Sequence, residues 1–355
     1  MILIFSRYAF GARVGGVEAR VKFIDALFAD PERVYIDFRS NTKKIVTYTV
    51  SDKITAIECQ LLRHLPCILS LIWRSDLIYC HTLGYAFRIL PVFLFKKVIV
   101  DFHGAAPEEA IVLTGSRLRY FALRILEYLA CRLSYRVVLV TERLFHHFAR
   151  LYGLQRDKTY IIPIPPPPRN GPEDNSYLRL YAIYSGSLHK WQMVDFMLGS
   201  IAKSEAPYRI LLLTNEPDGM RAKVNCLPAE VQDKIHIATV GRDLLDEYYK
   251  QSIFGFVLRD ESFVNRVACP TKLVDYIYNG VVPIMYAKQL GDFDDILSVS
   301  VKEYIEGTLP GEDELQRIRA HNYGVLQSIY NKSRGDIQAL QQAIASCGQR
   351  RKKCS

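Results

Sequence analysis

Residues Ile162 to Tyr177 read IPIPPPPRNGPEDNSY, and neither a helix nor a central strand can pass through them, because consecutive prolines remove backbone donors and fix an extended backbone. The chain is therefore expected to fold as two units. On each side, short apolar runs alternate with helix-like stretches, the pattern of a parallel sheet covered by helices. Before the run, strands are expected at Ile2 to Phe5, Arg33 to Asp37, Leu77 to His81, Val98 to Phe102, Val137 to Val140 and Tyr160 to Pro163. The intervening helices fall around Glu18 to Phe28, Ile54 to Cys67, Ala86 to Phe93, Ser116 to Ser134 and Arg143 to Leu151. After it, strands are expected at Leu180 to Ser185, Arg209 to Thr214, Ile235 to Ala238, Phe254 to Leu258 and Val281 to Met285, with helices from Met193, near Leu244 to Gln251, and between the last two strands. Two Rossmann-like units result. With 355 residues, 49% of them hydrophobic, the chain is long enough for two cores and too apolar for disorder.

Charge is unevenly placed. Residues 1 to 170 hold 24 Lys and Arg against 14 Asp and Glu, while residues 171 to 355 hold 22 against 23, so one half is basic and suited to an anionic surface or acceptor. Arg117, Arg124 and Arg132 share one face of the expected helix Ser116 to Ser134 and are a candidate contact with anionic lipid headgroups, the alternative being a solvated face. The tail RRKK, Arg350 to Lys353, adds to the basic charge. No apolar run approaches the roughly 20 residues of a membrane span, so a soluble or peripheral protein is expected. Eight scattered cysteines without a C-x-x-C pair or a Cys/His cluster suit a reducing cytoplasm and offer no metal-binding pattern. Nucleic acid is not an expected partner, since no recognised binding pattern accompanies the charge.

The segment NRVACPTKLVDYIYNGVVPI, Asn265 to Ile284, is the densest in candidate chemistry. Pro270 and Thr271 open a helix whose N-terminal amides form an anion site beside Lys272. One turn on, Asp275 has the reach to accept two ribose hydroxyls, and Gly280 closes the helix before a buried strand. An ordinary helix-to-strand connection is the plainer reading. Gly15 and Gly16 follow a strand and precede Glu18, allowing close backbone approach to a diphosphate or simply turning the chain. The run Asp101-Phe102-His103-Gly104 should bring His103 out at the carboxyl edge of a sheet, where open α/β folds bind ligands. Glu108 and Glu109 then either cap the next helix or face an acceptor. Ser185, Gly186, Ser187 and Lys190 form a donor-rich loop suited to phosphate oxygens, unless it is a solvated turn.

Taken in order, GGVE at Gly15, DFHG at Asp101, VTERL at Val140, YSGSLHKWQ at Tyr184 and the Asn265 to Ile284 segment resemble GT-B glycosyltransferases, particularly the family 4 type of bacterial surface-polysaccharide synthesis. The resemblance covers most of the chain. It implies an N-terminal acceptor domain over residues 1–165, a proline-rich linker over 166–180, a nucleotide-sugar donor domain over 181–330, and a crossover helix with a basic tail over 331–355. It further implies sugar transfer from a nucleotide sugar to a lipid-linked or saccharide acceptor at the inner face of the cytoplasmic membrane, with no bound metal or cofactor, since the class needs neither.

Within that resemblance His103 orients the donor sugar, Lys190 and Lys272 stabilise the departing diphosphate, Asp275 holds ribose, and Gly241 lies beside the base. Two departures stand out. Ser187 occupies the place of an arginine, leaving Arg266 as a third source of charge, and the first acid of the paired motif falls at Val267, with Asn265 as a substitute sugar contact. Retaining stereochemistry then rests on fold resemblance. A GT-B nucleotide-sugar epimerase and a non-catalytic polyanion- or membrane-binding protein are the alternative functions.

Overall fold

A computed structural model describes residues 1–8, 16–28, 31–164 and 180–349. In the first unit the strands are β1 (Ile2–Phe5), β2 (Arg33–Phe38), β3 (Val46–Ser51), β4 (Ile54–Cys59), β5 (Leu77–His81), β6 (Val98–Phe102), β7 (Arg136–Leu139) and β8 (Thr159–Ile161). Its helices are α1 (Gly16–Ala26), α2 (Leu65–Arg74), α3 (Leu83–Ala86), α4 (Ala106–Thr114), α5 (Arg117–Leu133) and α6 (Glu142–Tyr152). The second unit holds β9 (Tyr181–Ser185), β10 (Arg209–Leu213), β11 (Ile235–Ala238), β12 (Ser252–Val257), β13 (Val282–Met285) and β14 (Val299–Ser300). Around them lie α7 (Val194–Lys203), α8 (Pro217–Val224), α9 (Ala229–Gln232), α10 (Leu245–Lys250), α11 (Phe263–Val267), α12 (Thr271–Tyr278), α13 (Val301–Ile305) and α14 (Glu312–Gln349).

The sheets run β3-β4-β2-β1-β5-β6-β7-β8 and β11-β10-β9-β12-β13-β14. All pairings are parallel except β3 with β4. In each sheet the chain winds outward from a central strand, β1 or β9, so the strand order reverses beside it and a crevice opens at the carboxyl ends.

The expected helix Ile54 to Cys67 is a correction. Its first part is β4, which closes a hairpin with β3 over the turn at Asp52-Lys53, and only Leu65 onward is helical. Along ITAIEC the burial of Ile54 and Ala56 alternates with less buried residues, a period of two that tertiary packing uses in place of helix. The stretch after α3, expected as helix from Ala86 to Phe93, is a 3-10 segment, Phe87–Leu94, with Pro91 inside it. The linker expected over 166–180 lies outside the described residues except for Leu180, as do Gly15 and the tail from Arg350.

One helix ties the units together. Its 38 residues make α14 continuous from Glu312 to Gln349, with position 330 in its middle. Leu315 and Ile318 pack in the second domain's core, Leu326 and Tyr330 against α12, and Leu340 and Ile344 against Ile2, Ile4 and Tyr79 of the first sheet. Asp336 on this helix accepts from Arg156 Nη2 at 2.7 Å and from the Ile161 backbone N–H at 2.8 Å. Nearer the cleft, Asp292 of the second domain accepts the Glu142 and Arg143 amides at 2.7 and 3.2 Å, capping α6 from across the interface. Asp292 and Asp294 are thus an interdomain clamp, with Asp294 paired to Arg143.

Leu340 is fully buried, so Leu340→Ala should lower unfolding free energy by about 2–5 kcal/mol. An unchanged midpoint in chemical denaturation would show that α14 is not docked on the first sheet.

Candidate functional site

A cavity of about 280 Å³ opens at the carboxyl edge of the second sheet, where β9 and β12 lie side by side. Sequence places its parts there directly. Ser185, Gly186 and Ser187 follow β9, Arg259 follows the apolar run of β12, and Thr271, Lys272 and Asp275 belong to the first turns of α12. Pro270 is the residue that caps that helix, and its carbonyl accepts the Leu273 amide at 3.0 Å.

Lys272 is 5% exposed, with Nζ donating to Gln192 Oε1 at 2.7 Å and lying 4.0 Å from the centre of the Tyr184 ring. No carboxylate pairs with it among the described residues. Burial, and then the neighbouring Arg259, hold its ammonium well below the ordinary lysine range. Arg259 is pushed down to about 10, chiefly by burial. Its Nη1 donates to Asn265 Oδ1 at 3.0 Å, and its Nε has no partner. Two basic side chains thus share one wall of the cavity, where an incoming anion would favour their charged forms. A Cβ at Gly186 would stand 3.2 Å from Lys272 Nζ, so a bare glycine keeps that approach open.

Asp275 lies deeper. Burial lifts its carboxyl to about 6 against the opposing pull of Arg242, whose Nη2 donates to Oδ1 at 3.0 Å. Leu213, Thr214, Asn215 and Val240 line the far side. The floor is tyrosine. Tyr276 OH accepts from the Ser185 amide at 3.0 Å, and Tyr249 OH lies 2.9 Å from Ser185 Oγ. Gly255, in the middle of β12, is required here, since a Cβ would fall 2.4 Å from the Tyr276 ring.

Several candidates lie elsewhere. Lys190 is exposed in a short 3-10 turn and does not line the cavity; Arg259 stands beside Lys272 in its place. Asn265 is fully buried and grips Arg259 and Asp260. Arg266 points into a different cleft, and Gly241 sits between the lining residues Val240 and Arg242. Gly16 is the first residue of α1. Glu108 is held by Arg124 Nη2 at 2.5 Å and lies 3.4 Å from His147. Glu109 does face it: burial raises its carboxyl, while His103 on one side and Arg259 on the other draw it down.

His103 sits at the end of β6 with Nε2 3.5 Å from Asp101 Oδ2. His81 approaches the same oxygen at 3.4 Å, but it is fully buried, and burial lowers it to about 4, leaving a neutral imidazole inside the domain. These three have metal-ligand proximity, yet both Asp101 oxygens are already taken by Arg20, at 3.0 and 3.1 Å. The cluster reads as an electrostatic support for His103, whose ring nitrogens have no hydrogen-bond partner among the described residues.

Sequence reasoning missed Arg259, Gln192, Tyr184 and Tyr249. The signal for Arg259 was present: a charge placed immediately after an uninterrupted apolar strand emerges at the sheet's ligand-binding edge.

Solved structures of the same architecture match over nearly the whole chain. Anabaena HepE in complex with UDP-glucose aligns with a TM-score of 0.66 and 14% identity over 97% of this chain and 98% of that one. WaaG, a glycosyltransferase involved in lipopolysaccharide biosynthesis, gives 0.64 and 10% over 97% and 99%. Sucrose-phosphate synthase from Thermosynechococcus elongatus gives 0.63 and 14% over 99% and 98%. The chain has the GT-B fold. No family model and no curated protein matches the sequence, so the GT-B likeness is carried by topology, and the cavity falls in its second Rossmann-like domain.

Asp275 gives this site a pH signature. Its folded value near 6 exceeds the ordinary 3.8, so the stability it contributes is complete below pH about 4 and lost as pH rises through about 6. Ligand binding through its carboxylate runs the other way. A ligand whose hydroxyls this carboxylate accepts should lose affinity several-fold as pH falls from 7 to 5, and Asp275→Asn should remove that slope in a titration.

Proposed function

We propose that this protein is a glycosyltransferase that takes a sugar from a nucleoside diphosphate donor bound against the second domain and passes it to a lipid-linked or saccharide acceptor held by the first. The observation that carries this reading is the pair of basic side chains, Lys272 without a carboxylate partner and Arg259 half-buried and balanced only in part by Asp260 and Glu109, beside a carboxylate of ribose-binding reach, Asp275. A phosphate oxygen about 4 Å from one such charge gains about 4 kcal/mol at an effective dielectric of about 20. That stabilisation grows as charge develops on the leaving diphosphate, which is where a transferase needs it. The UDP and UDP-glucose in the HepE structures make a uridine donor the first choice. His103 and Glu109, across the cleft, are positioned to meet the donor sugar and the acceptor. A retaining course is supported by the fold likeness alone, since Val267, apolar and buried with its carbonyl accepting from Thr141 Oγ1 at 2.8 Å, stands where the paired motif has its first acid.

A membrane-facing role in surface-polysaccharide synthesis is supported by α5. Its outward stripe is apolar: Leu118 is 83% exposed, Phe121 and Ile125 each 61%. Arg117, Arg119 and Arg132 are exposed on the same helix, whereas Arg124, expected on the basic face, is turned inward by Glu108 and Tyr152. Apolar side chains ringed by arginine suit the headgroup boundary of an anionic bilayer. None of the described helices is long and apolar enough to cross a membrane.

In a thermal-shift panel, one nucleotide family should stabilise the protein by about 2.7 kcal/mol at a hundredfold excess over its Kd, with Arg259→Ala abolishing the shift; no shift with any nucleotide would remove the donor site. In vesicle sedimentation, Phe121→Asp with Ile125→Asp should cut binding to anionic vesicles at least tenfold, and unchanged binding would remove α5 as the contact.

A further inference from the structure

A second cleft, of about 490 Å³, lies between the domains, with α6 on one side and α11 on the other. Its charged lining is entirely cationic: Arg143, Arg150 and Arg266, with His146 and His147 between them. Arg143 is engaged by Asp294, but Arg150 and Arg266 have no carboxylate partner among the described residues and both are exposed. Phe263 forms the apolar wall, its ring 4.3 Å from that of His147, and the Arg266 guanidinium lies 5.9 Å from it.

This cleft is coupled to the donor cavity through one short helix. The buried side of α11 carries Asn265, which holds Arg259 at the donor cavity, while the next residue, Arg266, faces the second cleft. A ligand here would therefore lie across a single segment, Arg259 to Val267, from the donor's diphosphate. The first domain supplies α6, which fits the side of the cleft from which an acceptor must arrive.

We propose that this cleft binds a phosphate group of the acceptor, with Arg150 and Arg266 as its principal ligands. The proposal rests on the transferase reading and narrows it to a phosphate-bearing acceptor. Arginine suits the role because its planar guanidinium stays charged and takes phosphate oxygens in pairs. The cleft is wide and carries Phe263 at its wall, so it accommodates either a sugar phosphate or the diphosphate end of a lipid carrier.

Inorganic pyrophosphate is the probe. By titration calorimetry at low salt, the full chain should bind it at two sites, and Arg150→Ala with Arg266→Ala should weaken one of them at least tenfold while leaving nucleotide binding intact. Lys272→Ala should retain that second site and lose the donor site. Displacement of pyrophosphate from the Lys272→Ala protein by glucose 6-phosphate identifies a sugar-phosphate acceptor, and displacement by farnesyl diphosphate identifies a lipid-linked one. A single pyrophosphate site, lost in Lys272→Ala and unaffected by the arginine substitutions, overturns the proposal without touching the donor assignment. Loss of nucleotide binding alone would instead overturn the transferase reading. Both arginines are exposed, so the variants should unfold at the parental temperature.

Discussion

The first domain is organised about one ion pair from which water is excluded. Arg20 on α1 and Asp101 at the end of β6 are both fully buried, with the guanidinium gripping both carboxylate oxygens. Burial alone would raise the Asp101 carboxyl, but Arg20 and His103 outweigh it and hold it well below the usual carboxylate range. Arg20 also donates to the carbonyls of Ile162 and Pro163, at 2.8 and 2.9 Å, where the chain leaves the first domain. Removing either partner would leave a buried charge without compensation, at a cost of about 3–5 kcal/mol. One pair therefore fixes the strand end that carries His103 and the point from which the second domain departs.

The second domain uses buried charge in the opposite way. Lys272 is drawn out of water without a carboxylate, and Arg259 beside it is balanced only in part by Asp260 and Glu109, so the cavity wall holds an excess of basic groups. Tyr184 and Gln192 offset part of the desolvation but supply no negative charge. A fold tolerates such a centre when ligand binding supplies the missing charge. Asp275 completes the contrast, since its carboxylate is retained by Arg242 on one oxygen. The first domain thus holds a finished ion pair in its interior and the second an unfinished set of basic groups at its cavity wall, while α14 and the Asp292 cap of α6 tie the two domains together.

Strand and helix alternation was legible because parallel strands buried on both faces read as continuous apolar runs, as in Leu77 to His81 and Val98 to Phe102. The β3-β4 hairpin was not, because ITAIEC is short and its period of two becomes decisive only when packed against β2. In the site, Gly186, Lys272 and Asp275 were legible because each stands at a strand or helix end, where backbone geometry dictates direction. Lys190 was misread for a physical reason: the 3-10 turn that follows Gly186 directs Gln192 inward and leaves Lys190 in solvent. Arg259 and Glu109 meet only through tertiary structure, being 150 residues apart in sequence and on different domains. No local pattern predicts that juxtaposition.

The most direct measurement is the affinity difference between UDP and uridine, in the parental protein and in a Lys272→Ala, Arg259→Ala double variant. A diphosphate seated on both cations predicts that UDP binds at least a hundredfold tighter than uridine and that this gap largely collapses in the variant, while uridine binding persists. An undiminished gap in the variant would place the diphosphate elsewhere and contradict the account.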